Sequence, residues 1–272
     1  MDPRTAKAAA FLALHSRSSP LLLPNPWDEG SARLLAWLGF EALATTSSGF
    51  AATRGRLDGS MERDEVLRHV AAIVAATDLP VSADLENGFG DDPARVADTV
   101  RLAVDVGLAG CSIEDSTGHG DDPIYDAGLA AERMAAAADV AHRGPVQVVL
   151  TGRCENYLHG RRDLHDTIAR LRAYQDAGAD VLYAPGLVEL DEIRSVVNAV
   201  DRPVNVLARP GGPTIAELAG AGVARVSLGG ALCFAALGSA VEAANELLEH
   251  GTYGFFDRAA VGVKAARAAF SP

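Results

Sequence analysis

Asp84 and Glu86 stand two residues apart in the run Ser82-Ala83-Asp84-Leu85-Glu86-Asn87-Gly88-Phe89-Gly90, just past a short apolar stretch. On a strand, residues at that spacing point to the same face. Glu114-Asp115 and Arg153-Cys154-Glu155-Asn156 close two further apolar runs. Carboxylates that converge repel one another unless positive charge lies between them. A hard divalent cation does this, and Mg2+ takes one or two carboxylates while keeping waters for the rest of its octahedron. Asp84, Glu86 and Glu114 are therefore the candidate metal ligands, with Mg2+ the expected cofactor and Mn2+ its substitute. Arg153 offers a planar, permanently charged donor for a carboxylate or a developing oxyanion. The plainer alternative is a group of solvated loop acids that Arg153 merely balances.

Other positions could complete a small-molecule site. The turn Ser47-Ser48-Gly49 can present a hydroxyl and backbone N–H groups to a carboxylate, and Ser48 and Gly49 are the candidates there. Asn205 and Arg209 lie at the end of a later apolar run. None of the seven histidines forms an HxH or HExxH pair, which argues against zinc. His119 differs from the rest because it sits in the loop Gly118-His119-Gly120. Flanking glycines suit a mobile lid over 116–126, and a lid histidine can carry a proton. Cys111, Cys154 and Cys233 are odd in number and widely spaced, so neither a disulfide framework nor a CxxC site is expected.

The elements that must position these groups follow from hydrophobic periodicity. Apolar runs at 21–24, 42–46, 80–83, 110–113, 146–150, 181–183, 204–207 and 225–228 alternate with helical stretches. Those stretches lie at 63–77, 93–106, 129–142, 164–177, 189–200 and 214–219. Most end at a glycine before the next strand (Gly39, Gly107, Gly144, Gly178 and Gly222), the usual left-handed helix stop. Repeated strand–helix units over this length predict a (β/α)8 TIM barrel, in which chemistry sits at the C-terminal strand ends. Extra helices follow at 232–250 and 257–270. An open doubly wound sheet is the alternative, but its first turn would carry a glycine-rich loop, and here that turn reads Pro24-Asn25-Pro26-Trp27-Asp28.

Composition narrows the function classes. The chain has 272 residues and a formal net charge of −12, which argues against a general binder of nucleic acid or anionic membrane, since phosphate needs a basic face. No run of 18 to 20 continuous apolar residues suggests a membrane span. A single barrel domain over 1–272 in a soluble cytoplasmic protein is expected, with a small carboxylate as its partner.

The run Ser82–Gly90, together with Ser48-Gly49-Phe50, Asp58, Ile113-Glu114-Asp115 and Arg153, resembles the isocitrate lyase / phosphoenolpyruvate mutase superfamily from about residue 20 to 250. The resemblance implies that Asp84 binds Mg2+ directly, while Glu86, Glu114 and Asp58 act largely through waters on the metal. It implies that Ser48, Gly49 and Phe50 contribute to substrate binding and that Arg153 holds the oxyanion end; from the strand-end and loop positions above, Asn205 is a further candidate for substrate binding and His119 for the lid's acid. It also implies helix-swapped homo-oligomers, a dimer of dimers exchanging residues 232–270. The lyase branch carries a cysteine in the loop after the I-E-D strand and a glutamate after strand six. Here those places read Ser116-Thr117-Gly118-His119-Gly120 and Tyr183-Ala184-Pro185-Gly186. The lysine and asparagine of the mutase lid are also missing. The resemblance thus implies a Mg2+-dependent lyase that cleaves a C–C bond of a small 2-oxo or 2-hydroxy carboxylate through an enolate. The alternatives are a P–C bond enzyme (phosphonopyruvate hydrolase or phosphoenolpyruvate phosphomutase) and a non-catalytic 2-oxo-acid-binding paralogue.

Overall fold

Eight short parallel strands line up in the order β1-β8-β7-β6-β5-β4-β3-β2 in a computed structural model that describes residues 3–271. They are β1 (Leu21–Leu23), β2 (Leu43–Ala44), β3 (Val81–Asp84), β4 (Gly110–Glu114), β5 (Val149–Arg153), β6 (Val181–Tyr183), β7 (Val204–Leu207) and β8 (Arg225–Ser227). Between β1 and β2 the ladder is reduced to two bonds. The Ala44 N–H donates to the Pro24 carbonyl at 3.1 Å, and Asn25 Nδ2 donates to the Thr45 carbonyl at 3.0 Å. The result is a nearly closed (β/α)8 barrel.

The first helices are α1 (Pro3–Ala13), α2 (Glu29–Trp37), α3 (Ser47–Thr53) and α4 (Arg63–Ala75). After them come α5 (Pro93–Asp105), α6 (Ala127–Arg143), α7 (Leu164–Asp176), α8 (Leu190–Ala199) and α9 (Ile215–Gly220). The chain ends in α10 (Ala231–His250) and α11 (Phe256–Phe270). Their starts are written in the sequence. Asp28 caps α2 by accepting the Ser31 N–H, Pro93 follows the Asp92 cap of α5, and Thr214 and Glu217 form a capping box on α9. Four of the five predicted glycine stops have positive φ, while Gly144 ends α6 extended at φ −74°. Strand β5 lies three residues later than its apolar run, because Val146 and Val148 pack in the core ahead of the ladder.

The aliphatic core fills the layer between strands and helices. At the N-terminal mouth of the barrel, Phe11 of α1 is fully buried and plugs the opening. This close approach requires Gly110, where an added Cβ would stand 3.0 Å from Phe11 Cε1 and 2.8 Å from the Val149 carbonyl. The other mouth stays open. α11 leans on α2 of the same chain, with Phe270 against Gly30. α10 and α11 together leave Phe234, Leu237, Val241, Leu248, Val261 and Val263 exposed.

Candidate active site

Arg153 ends β5 and points into the barrel mouth, where it collects the acids of its neighbours. Its Nη1 lies 3.2 Å from Glu114 Oε2 and 3.6 Å from Asp84 Oδ1, and its Nε donates to Glu155 Oε1 at 2.5 Å. The parallel register explains this meeting, since Glu114 pairs with Arg153 across β4–β5 and Asp84 sits one strand further. The Tyr183 ring lies 5.3 Å from the guanidinium. Asp84 Oδ2 accepts bonds from Ser47 Oγ–H at 3.1 Å and from the Ser47 N–H at 3.4 Å. Above the cluster opens a cavity of about 550 Å³, walled by Ser47, Asp58, Glu86, Asn87, Glu114, Ser116, Arg153, Glu155 and His159 among others.

The loop after β3 is held in a costly shape. Glu86 and Phe89 adopt positive φ, 49° and 61°, which is unfavourable for side chains with a Cβ. Buried Arg133 compensates: its guanidinium donates to the carbonyls of Asn87, Gly90 and Asp91 and stacks over Tyr125 at 4.0 Å. Asp115 organises the neighbouring loop. It accepts the Glu155 N–H at 2.7 Å, the Tyr174 hydroxyl at 2.5 Å and Arg170 Nη1 at 3.2 Å, so the backbone carrying Glu155 is fixed from behind.

A family model described as phosphoenolpyruvate phosphomutase matches residues 11–248. The chain belongs to that family. It stands within the isocitrate lyase / phosphoenolpyruvate mutase superfamily of lyases and mutases. A candidate lyase/mutase from Burkholderia cenocepacia J2315 is 55% identical, covering 100% of this chain and 98% of that one at a TM-score of 0.96. The 2-methylisocitrate lyase of Escherichia coli K12 is 31% identical over 203 residues, 72% of this chain and 67% of that one. An oxaloacetate acetylhydrolase in complex with oxalate is 25% identical, covering 97% and 94% of the two chains at a TM-score of 0.87.

Among the family positions, Asp84, Glu86, Glu114, Arg153 and Asp58 come together around the cavity. Others do not. Phe50 is buried in the core and stacks on His69 with ring centroids 3.8 Å apart, so it faces away from the mouth. Ser48 Oγ contacts Thr46 Oγ1 at 3.2 Å and the Gly49 N–H donates to the same atom, so Ser47 is the residue of that turn that lines the cavity. Asn205 lies deeper, 1% exposed: it lines a second, smaller cavity inside the barrel with Asp84, Arg153 and Tyr183, its Oδ1 accepting from Arg225 and its Nδ2 donating to Ser227. His119 is exposed and is not part of the cavity wall. The loop that carries it is braced rather than loose. Ser116 pairs with Ile124, the Thr117 N–H donates to the Pro123 carbonyl, and Thr117 Oγ1 donates to the Asp122 carbonyl at 2.5 Å.

Sequence reasoning passed over Ser47, Glu155 as an Arg153 partner, and His159. The signal for His159 was its place, six residues past Arg153 in the loop above a strand end. Tyr157, the other polar aromatic of that loop, sends its hydroxyl to Glu192 at 3.2 Å, away from the cavity.

Charge crowding dominates the electrostatics. Burial, then Asp84 and Asp58, push Glu86 up to about 8, and only Arg153 opposes them. Burial also raises Glu114 and Glu155 against the pull of Arg153. Asp58 stands exposed at the rim, yet the protein around its carboxyl and the charge of Asp84 raise it as well. Burial alone would lower Arg153, but Glu114, Glu155 and Asp84 more than reverse that, so it stays charged. Glu86 Oε1 is buried without any hydrogen-bond partner. Such an orphaned acceptor in an acidic cavity suits a cation. Among the described residues no three His, Cys, Asp or Glu side chains form a ready metal cage. The donor set therefore fits a cation that takes few protein oxygens and keeps its waters, as Mg2+ does.

Proposed function

We propose that the protein is a Mg2+-dependent lyase that cleaves a C–C bond of a small 2-oxo or 2-hydroxy carboxylate. The observation that supports this best is the buried, unpartnered Glu86 oxygen in a cavity where one guanidinium faces Asp84, Glu114 and Glu155. An anionic substrate meets net repulsion there unless a divalent cation offsets the charge of the acids. Asp84 would hold the ion directly, with Glu86 and Glu114 around it. When bound, Mg2+ supplies Lewis-acid stabilisation of developing negative oxygen. Arg153 supplies the second positive group, positioned before reaction by its three acids, and such preorganised charge is often the largest catalytic contribution. Ser47 orients Asp84, and the Glu155 and Glu114 carboxylates keep the guanidinium plane fixed.

A phosphonate substrate would add further negative charge, and the cavity wall contains no lysine and only one arginine, already engaged by acids. This favours C–C over P–C chemistry. The test is product analysis by NMR with methylisocitrate, oxaloacetate and phosphonopyruvate, with and without Mg2+. Mg2+-dependent breakage of a C–C bond supports the reading. Phosphate release or isomerisation from phosphonopyruvate would return the P–C alternative, and ligand-induced thermal stabilisation without turnover would mark a binding paralogue.

The proposal includes a homo-oligomer, built as a dimer of dimers. α10 is long and apolar enough to cross a membrane by length and composition, yet only 6% of its apolar window is buried within the chain. With Phe234, Leu237 and Val241 exposed beside the active-site end of the barrel, a neighbouring subunit is the cover that this enzyme family makes natural. Light scattering at a mass near four chains supports it, and a stable monomer refutes it.

A further inference from the structure

We propose that His159 is the proton-transferring group of this site, exchanging a proton with the carbon that keeps the electron pair when the C–C bond breaks. The inference rests on the lyase reading above. His159 lies in the cavity wall, and its Nε2 is 3.4 Å from Ser116 Oγ, so the imidazole reaches from the loop after β5 to the loop after β4 across the open mouth.

The turn that carries it is built rather than loose. Asn156 is fully buried and anchors the turn to α7 through Asp166 Oδ2 at 2.8 Å and Thr167 Oγ1 at 3.1 Å. The Leu158 and His159 N–H groups both donate to the Glu155 carbonyl, at 3.0 and 3.2 Å, and the Arg161 N–H closes onto the Asn156 carbonyl at 2.8 Å. The loop after β6 makes room for this packing. Gly186 has φ +95°, and a Cβ there would stand 2.8 Å from Tyr157 Cβ. A buried anchor and a glycine-dependent contact thus deliver one imidazole to the cavity.

Other groups are less suited to moving the proton. Glu114 and Glu155 are held by Arg153, and Asp84 and Glu86 are the proposed cation ligands. Unlike Glu114 and Glu155, His159 has no ion-pair partner, its ring nitrogen facing only the Ser116 hydroxyl, and its exposure gives it access to solvent protons. In the cleavage direction the substrate hydroxyl loses its proton to a carboxylate of the cluster. The alkoxide becomes a carbonyl as the C–C bond breaks, and the bond's electron pair stays on the departing fragment as an enolate. The His159 imidazolium then protonates that carbon and is recharged from solvent, while the carboxylate returns its proton to solvent.

Pyruvate is a minimal probe of this step, because enolisation removes a methyl proton and return from D2O leaves deuterium. Wild-type protein and H159Q are compared by proton NMR for Mg2+-dependent exchange of the pyruvate methyl, and by calorimetry for Mg2+ and oxalate affinity. General acid–base groups contribute about 10²- to 10⁴-fold, so exchange should fall by that factor in H159Q while both affinities stay within about threefold. Exchange within about threefold of wild type overturns the assignment. Affinities that fall in parallel with exchange overturn it too, since His159 would then only hold ligand. Wild-type protein that binds oxalate but exchanges nothing overturns the proton transfer itself. Wild-type protein that binds neither Mg2+ nor oxalate sinks the lyase reading and this inference together.

Discussion

Mg2+ uptake by this site should be tightly linked to protons, and Glu86 sets the size of the effect. Its pKa is pushed from 4.5 up to about 8 by burial and by Asp84 and Asp58. At pH 7 about one site in ten has Glu86 ionised, and at pH 6 about one in a hundred. A cation that needs the ionised form must displace that proton. Mg2+ affinity should therefore weaken about tenfold from pH 7 to pH 6, about 1.4 kcal/mol, and level off above about pH 8. Titration calorimetry at pH 7 in buffers of different ionisation enthalpy should show close to one proton released per ion. Glu114, raised in the same direction, can only increase that number. E86Q should bind Mg2+ more weakly at pH 8.5 but with a flattened pH dependence and less proton release. The metal-free protein carries the opposite signature in stability. A carboxyl whose folded pKa is raised favours the fold below its unfolded pKa, and that contribution is lost as pH rises through about 8. Apo E86Q should therefore melt above apo wild type at pH 8. Mg2+ affinity that is flat between pH 6 and 8.5, or proton release unchanged in E86Q, would refute this reasoning.

Three further outcomes are expected. Arg153→Lys should lower kcat/KM by at least about 10²-fold with little change in melting temperature, because one ammonium cannot reproduce a fork facing three carboxylates; near-full activity would make Arg153 a charge-balancing residue only. His119→Gln should leave rate and pH profile unchanged, since His119 is exposed and outside the cavity wall; steady-state kinetics showing a hundredfold loss would restore it to the mechanism. His15 is buried, and its pKa is pushed from the ordinary 6.5 down to about 4 by desolvation first and by Arg225 next. Its neutral form stabilises the fold above pH 6.5, and that stability, about 3 kcal/mol, is lost as pH falls to about 4. His15→Gln should flatten the fall of denaturant midpoint over that range, and an unchanged slope would exclude His15 as its source.

Much of this protein was legible in its sequence because the relevant signals are local. Strand-sized apolar runs, capping residues such as Asp28 and Thr214, and glycines before strands define alternating units, and the lack of a glycine-rich loop after the first strand favours a barrel over an open sheet. The same locality exposed Asp84, Glu86, Glu114 and Arg153, because residues at strand ends converge once the strands are parallel and in register. What the tertiary structure alone decided are orientations set by packing from elsewhere in the chain. A turn such as Ser47-Ser48-Gly49-Phe50 offers four neighbouring candidates, and the helix it begins sends Ser47 to Asp84 and Phe50 to His69. Asn205 reads as a strand-end polar residue until Arg225 and Ser227 claim it from within the barrel. His119 and His159 are both loop histidines in sequence. Thr117 turns the first outward through bonds within its own loop, while Asn156, Asp166 and Gly186 carry the second to the cavity. Period and composition record which residues a strand or helix must bury, but the direction of a loop side chain depends on contacts made by residues far apart in sequence.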